Sequence, residues 1–224
     1  IDKQLPVILK DSKYADRLPI GQKAVIDTFH YETARNFYKA WYRPELMAVI
    51  AVGDVEETTM QSLINKYFGG IPKSEVSANR PLIPVPDHDK TLFTIASDPE
   101  ATNSDVQLIH KFEPEKDKKS VNAFRDGIIF NMYNSMLNNR LDELTKSADP
   151  PFLFVRSRKG SWIQSKQMYT LSAYVKTNGI PDGMEALLIE TARIQKHGFT
   201  QTELDRQKTK YLRNLEKRYN EKDK

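Results

Sequence analysis

The apolar positions of this chain change period twice between residues 29 and 68. Ala34, Phe37, Tyr38 and Trp41 fall at i, i+3, i+4 and i+7, one stripe of a helix that starts near His30 and ends at Pro44. On that spacing Phe37 and Trp41 are expected in the core. Leu46-Met47-Ala48-Val49-Ile50-Ala51-Val52 follows without alternation, which predicts a strand covered on both faces, turned by Gly53-Asp54-Val55. Met60, Leu63, Ile64 and Tyr67 restore the helical spacing, and Gly69-Gly70 is expected to close that helix with a left-handed residue. Phe29 to Phe68 therefore reads as α-β-α.

Upstream, residues 1–28 hold Pro6, Pro19 and Gly21 between short apolar runs and read as a connector with at most one short helix. Downstream, Pro81, Pro84 and Pro86 mark residues 73–90 as an extended surface linker. Strands are predicted over Thr91–Ala96 and Val106–Phe112, joined by Asp98-Pro99-Glu100 and Thr102-Asn103-Ser104. A long helix runs from about Lys118 to Leu144, with Ile129, Met132, Tyr133, Met136, Leu137, Leu141 and Leu144 on one side, until Pro150-Pro151 breaks it. A hairpin follows, Phe152–Ser157 and Gln167–Lys176, with its turn near Lys159-Gly160. Asn178-Gly179 leads into a helix with Pro181 in its first turn and Gly198 past its end. Thr200-x-x-Glu203 is a capping box that opens the last helix. Helices in blocks between strand pairs argue for an α+β fold, a two-layer antiparallel or mixed sheet with helices packed on one face.

Composition narrows the function more than the fold. With 224 residues and 39% hydrophobic content the chain can bury a sizeable core. The 34 basic and 30 acidic residues are interspersed, so a net charge of +4 reads as a mixed surface rather than a nucleic-acid footprint. The absence of cysteine removes disulfides, thiolate zinc sites and a cysteine nucleophile together. No run approaches the roughly 18 apolar residues of a membrane span. Ile1-Asp2-Lys3 has neither an initiating Met nor a signal peptide, and the basic tail from Lys217 stops without a cap, so the chain reads as an excised piece.

Three sets of words, Trp41-Tyr42-Arg43-Pro44, Val49-Ile50-Ala51-Val52-Gly53-Asp54-Val55 and Tyr67-Phe68-Gly69-Gly70-Ile71-Pro72, resemble the second, non-catalytic domain of the pitrilysin/insulinase family of zinc metallopeptidases. Ser12 to Gly21 resembles the segment that closes that family's catalytic domain. The resemblance implies the family's two-layer metallopeptidase domain (LuxS-like type) over nearly the whole chain. It divides the chain into a connector over 1–28, a non-catalytic domain over 29–216 and a truncated helical tail over 217–224.

The chemistry of such an enzyme needs H-x-x-E-H on a helix, two histidine ligands and a general base. Here His30, His88, His110 and His197 stand alone, and His30-Tyr31-Glu32 lacks the second histidine. Neither a phosphate-cradling glycine loop nor a G-x-S-x-G elbow is present. Asp98, Glu100, Glu113 and Glu115 lie near strand ends, where a glycosidase would want carboxylates, but read as turn and cap residues. The resemblance further implies an Arg and, seven residues later, a Tyr that bind the substrate carbonyl in the half completing the active site. Thr145 and Phe152 fall at those places, and neither supplies the cation or the phenol.

The resulting expectation is a chamber-forming, non-catalytic domain of a zinc-dependent endopeptidase acting on peptides, with no catalytic, cofactor or metal residue on this chain. Zinc belongs to the full-length protein. Its partners would be an upstream catalytic domain, a downstream homologous half and an extended peptide, gripped by strand addition, with no nucleic acid and no membrane span. The alternative is a structural or assembly subunit that lacks the zinc site, distinguished by whether H-x-x-E-H lies upstream. The residues do not identify a compartment, and the resemblance is compatible with the bacterial periplasm or cell envelope.

Overall fold

Residues 3–73 and 80–222 are described in the computed structural model, and they fall into two compact units. Ser12 and the residues before it join Pro84 onward in the first unit, and Lys13–Ile83 form the second. Part of the predicted linker and both chain ends lie outside the described residues.

Helix α1 (Leu5–Ile8) opens the first unit and buries Leu5, with Leu9 and Val85 also buried. Ser12 Oγ donates to the Pro84 carbonyl at 2.8 Å, and Lys166 Nζ to Asp87 at 2.7 Å. Residues 84–87 are thus pinned rather than a free surface linker, because Val85 supplies an apolar anchor that the surrounding prolines mask.

The second unit holds α2 (Lys23–Thr28), α3 (Tyr31–Trp41) and α4 (Glu57–Phe68). The predicted stripe forms, with Phe37 and Trp41 rings 6.3 Å apart and Tyr38 stacked on Tyr42 at 4.9 Å. It does not make a core: no residue of α3 is buried, and Phe37 is 59% exposed. Met47 is extended at φ −112°, ψ 151°, yet no strand pairs with residues 47–52 among the described residues, and Ile50 and Val52 are largely exposed. A strand needs a neighbour to take its N–H and C=O groups, which composition cannot supply. Glu56 caps α4, accepting from the Thr58 and Thr59 amides at 3.0 and 2.7 Å, and bonding from the side chains of Thr58 first and Thr59 next, with these amides after them, brings its carboxyl down to about 2. Gly69 ends α4 at φ −64°, not left-handed as expected. Glycine is required there by close approach, since a Cβ would lie 2.5 Å from the Asn65 carbonyl oxygen.

The rest of the first unit is an antiparallel sheet of β1 (Ser104–Phe112), β2 (Phe154–Ile163) and β3 (Lys166–Val175) in the order β1-β3-β2, with α5 (Val121–Leu144), α6 (Ile180–His197) and α7 (Gln201–Asn220). Residues 91–96, expected as a strand, have no ladder partner among the described residues, and Phe93 and Ile95 are exposed. Val106, Ala173 and Val155 stand in register across the sheet and, with Leu171 and Val175, pack under Leu137 and Leu141 of α5, Leu187 and Ile194 of α6, and Phe152. This is the α+β arrangement with helices on one face. The hairpin turns at Gln164-Ser165 rather than Lys159-Gly160. Trp162 and Ile163 continue β2, an irregularity between Ser161 and Ile163 absorbs the extra residue, and Gly160 sits mid-strand opposite Met168. Asn178 at φ 63° turns the chain into α6, and Gly198 at φ 67° releases it.

Candidate functional site

Two polar networks form where α5 meets the elements beside it. Asn134 and Asn138, one turn apart on α5, both donate to the Ser157 carbonyl, at 3.2 and 3.1 Å. Ser157 returns its N–H to Asn138 Oδ1 and its hydroxyl to Asn134 Oδ1, each at 2.7 Å. Ser157 is fully buried. Two helical amides therefore satisfy backbone groups of an edge strand that β3 cannot reach, and at this residue the edge of β2 is closed to another strand.

The second network centres on Arg140. Its Nε and Nη2 make a forked pair with Glu203 at 2.6 and 2.8 Å, Nη1 reaches Glu190 at 3.3 Å, and Nη2 also donates to the Gly198 carbonyl at 3.0 Å. The guanidinium lies 4.8 Å from the centre of the Phe199 ring. Glu203 completes the capping box of α7 at the same time, accepting from the Thr200 amide at 2.7 Å. Bonding from Arg140 first, and from Thr200 after it, brings the Glu203 carboxyl down to about 2. Glu190, 2% exposed, is also paired with Arg193 at 3.1 Å. Every charge in this cluster is spoken for, which makes it a clasp between α5, α6 and α7 rather than a reactive centre.

The remaining candidates stay apart. His30 precedes α3 without capping it, His88 bonds the Lys90 carbonyl at 2.8 Å, His110 sits exposed on β1, and His197 ends α6. Among the described residues no three His, Asp or Glu side chains group to hold a metal, so the described residues do not fit a zinc ion. Asp98 forms a local turn, accepting from the Glu100 amide at 2.9 Å. Glu113 and Glu115 are ion-pair partners of Lys166 and Lys159 rather than caps. Thr145 caps the end of α5, its hydroxyl donating to the Asp142 carbonyl at 2.7 Å, and Phe152 is wholly inside the core. Sequence reading missed both networks. Their only sequence signal is Asn134 and Asn138 at i, i+4 on an otherwise apolar helix side.

A family model described as the peptidase M16 inactive domain matches residues 28–211. This chain belongs to the peptidase M16 family. It is a non-catalytic domain of that family, whose named relatives are zinc proteases. A "Zinc protease PQQL-like" protein of Arabidopsis thaliana is 38% identical over 152 residues, which is 67% of this chain and 16% of the relative. The "Probable zinc protease PqqL" of Escherichia coli strain K12 is 27% identical over 206 residues, 89% of this chain and 21% of the relative. The chain thus spans about a fifth of the length of these M16 relatives. In fold it matches the crystal structure of the periplasmic protease PqqL from E. coli, with TM-score 0.82 and 24% identity over 98% of this chain and 24% of that one. The first half of the same protease gives TM-score 0.83 over 98% of this chain and 47% of that one.

Proposed function

We propose that this M16 domain is a wall of the peptide-holding chamber of a zinc-dependent endopeptidase, with zinc bound on a separate, upstream catalytic domain. The match to the inactive domain over residues 28–211 carries the reading. The scattered histidines support it, because among the described residues no three His, Asp or Glu side chains group to hold a metal that would activate water. In this reading residues 1–28 are the connector from the catalytic domain, 29–216 the domain proper and 217–224 a truncated tail that takes in the last residues of α7. Thr145 and Phe152 occupy the degenerate carbonyl-binding places. The substrate is a peptide, and the setting is the bacterial periplasm or cell envelope, by analogy with the E. coli protease. The relatives' printed names favour this over an assembly subunit.

A quenched fluorescent peptide tests it on two samples, the 224-residue chain and the longer protein that contains it. The chain is expected to hydrolyse nothing, and the longer protein to hydrolyse the peptide until a chelator removes zinc. Hydrolysis by the chain alone, or activity indifferent to the chelator, overturns the reading.

A further inference from the structure

The sheet has a second face, turned away from α5 and α6, that the core leaves open. Register places three cross-strand rows on it: Phe154, Tyr174 and Asp105; Arg156, Ser172 and Gln107; Arg158, Thr170 and Ile109. Arg156 and Arg158 are both exposed. Arg156 and Arg158 have no carboxylate partner among the described residues, whereas the neighbouring Lys159 and Lys166 each hold one. The Arg158 guanidinium lies along the strand over Gly160, where a Cβ would come within 3.6 Å of it. Asp105 is the sole carboxylate among the strand residues of this face. It sits on β1 with β3 between it and the arginines, and it already accepts from Gln107 Nε2 at 2.9 Å. Beside the arginines, Phe154 and Tyr174 are about half exposed with ring centroids 6.0 Å apart. At the other end Lys111 donates to the Ile8 carbonyl at 2.7 Å, so α1 closes the face there.

We propose that this face docks an extended, acidic polypeptide segment, with carboxylates two residues apart on Arg156 and Arg158 and an apolar side chain against Phe154 and Tyr174. Alternate residues of a strand are roughly 6.6 Å apart, and so are alternate carboxylates of an extended peptide. The guanidinium fork takes a carboxylate in bidentate fashion, which favours carboxylates over other polar groups. Single exposed ion pairs are weak and screened by salt, so recognition depends on both arginines and the aromatic pair acting together. This deepens the reading above, on which it rests for calling the occupant a substrate. Because the test reads binding without hydrolysis, it stands or falls separately from whether the longer protein is a peptidase.

Fluorescence anisotropy of a labelled peptide of four Glu-Val repeats, titrated with the chain, decides the matter. Binding is expected to weaken roughly tenfold or more, about 1.4 kcal/mol, in R156Q/R158Q. In K208Q/R213Q, which removes the same charge from exposed positions of α7, it should stay within about twofold. R156E/R158E should lose the Glu-Val peptide and gain a Lys-Val one, a result that loss of folding cannot produce. Circular dichroism checks that each variant remains folded. Four outcomes overturn the proposal: no binding by the parent chain, unchanged affinity in R156Q/R158Q, an equal loss in both glutamine pairs, or displacement of the peptide by an oligothymidylate of equal charge.

Discussion

Arg140 joins groups that lie 50 and 63 residues further along the chain, Glu190 and Glu203, at a site where all three side chains are less than a fifth exposed. Replacing it with methionine keeps the aliphatic stem and leaves Glu203 without its cation, so Arg140→Met should lower stability by roughly 3 kcal/mol, read by chemical denaturation at pH 7. The loss has a pH signature. Glu203 is held at about 2 in the folded chain against an ordinary 4.5, so its stabilisation is fully present above about pH 4.5 and fades as pH falls toward 2. The gap between parent and variant should therefore narrow over that window, and a gap independent of pH would mean that packing of the guanidinium over Phe199 matters more than its charge. None of this was legible in the sequence. Glu203 reads there as a helix cap, which it is, and nothing local announces a partner 63 residues away.

Self-contained local signals hold, the left-handed closure expected at Gly69-Gly70 excepted. The capping box at Thr200, the Asn178-Gly179 turn and the long helix ending near Leu144 all form, because each depends on residues within a turn or two. Misreadings of strands fall where an element needs a distant partner: residues 47–52 and 91–96 have no ladder among the described residues, and β2 runs past Gly160 because β3 continues to pair with it. Glycines separate the two kinds of information further. Gly183 in α6 faces β3, and a Cβ there would come within 2.5 Å of Val175 Cγ1, whereas Gly127 in α5 has nothing within 4 Å. Alanine normally helps a helix by about 1 kcal/mol over glycine, so Gly127→Ala should stabilise by that amount. Gly183→Ala should instead cost about 1–3 kcal/mol by overpacking. Paired thermal melts check both, and two changes of the same sign would show that α6 can shift away from the sheet.

The missing H-x-x-E-H, the feature that separates this M16 domain from a catalytic one, was visible from residue spacing alone, since it is a local motif. What surrounds the domain is not, for the chain spans about a fifth of its named relatives. In the longer protein Thr145→Arg, at the partly exposed end of α5, should leave peptide hydrolysis within about threefold; a change of tenfold or more, 1.4 kcal/mol of barrier, would put this helix end beside the scissile bond. The clasp also leaves α7 secured at one end only. Its first turn is held by the capping box and Arg140, Gln207 is its sole buried residue, and Leu212 and Tyr219 beyond it are exposed. Amide hydrogen exchange in this chain should accordingly grade along the helix, the amides of Leu204 to Gln207 exchanging only when the unit opens as a whole and those past Lys208 by fraying, about a hundredfold faster. Brief trypsin treatment should clip α7 beyond Lys208 and leave the melting temperature of the remainder unchanged to within about 2 °C.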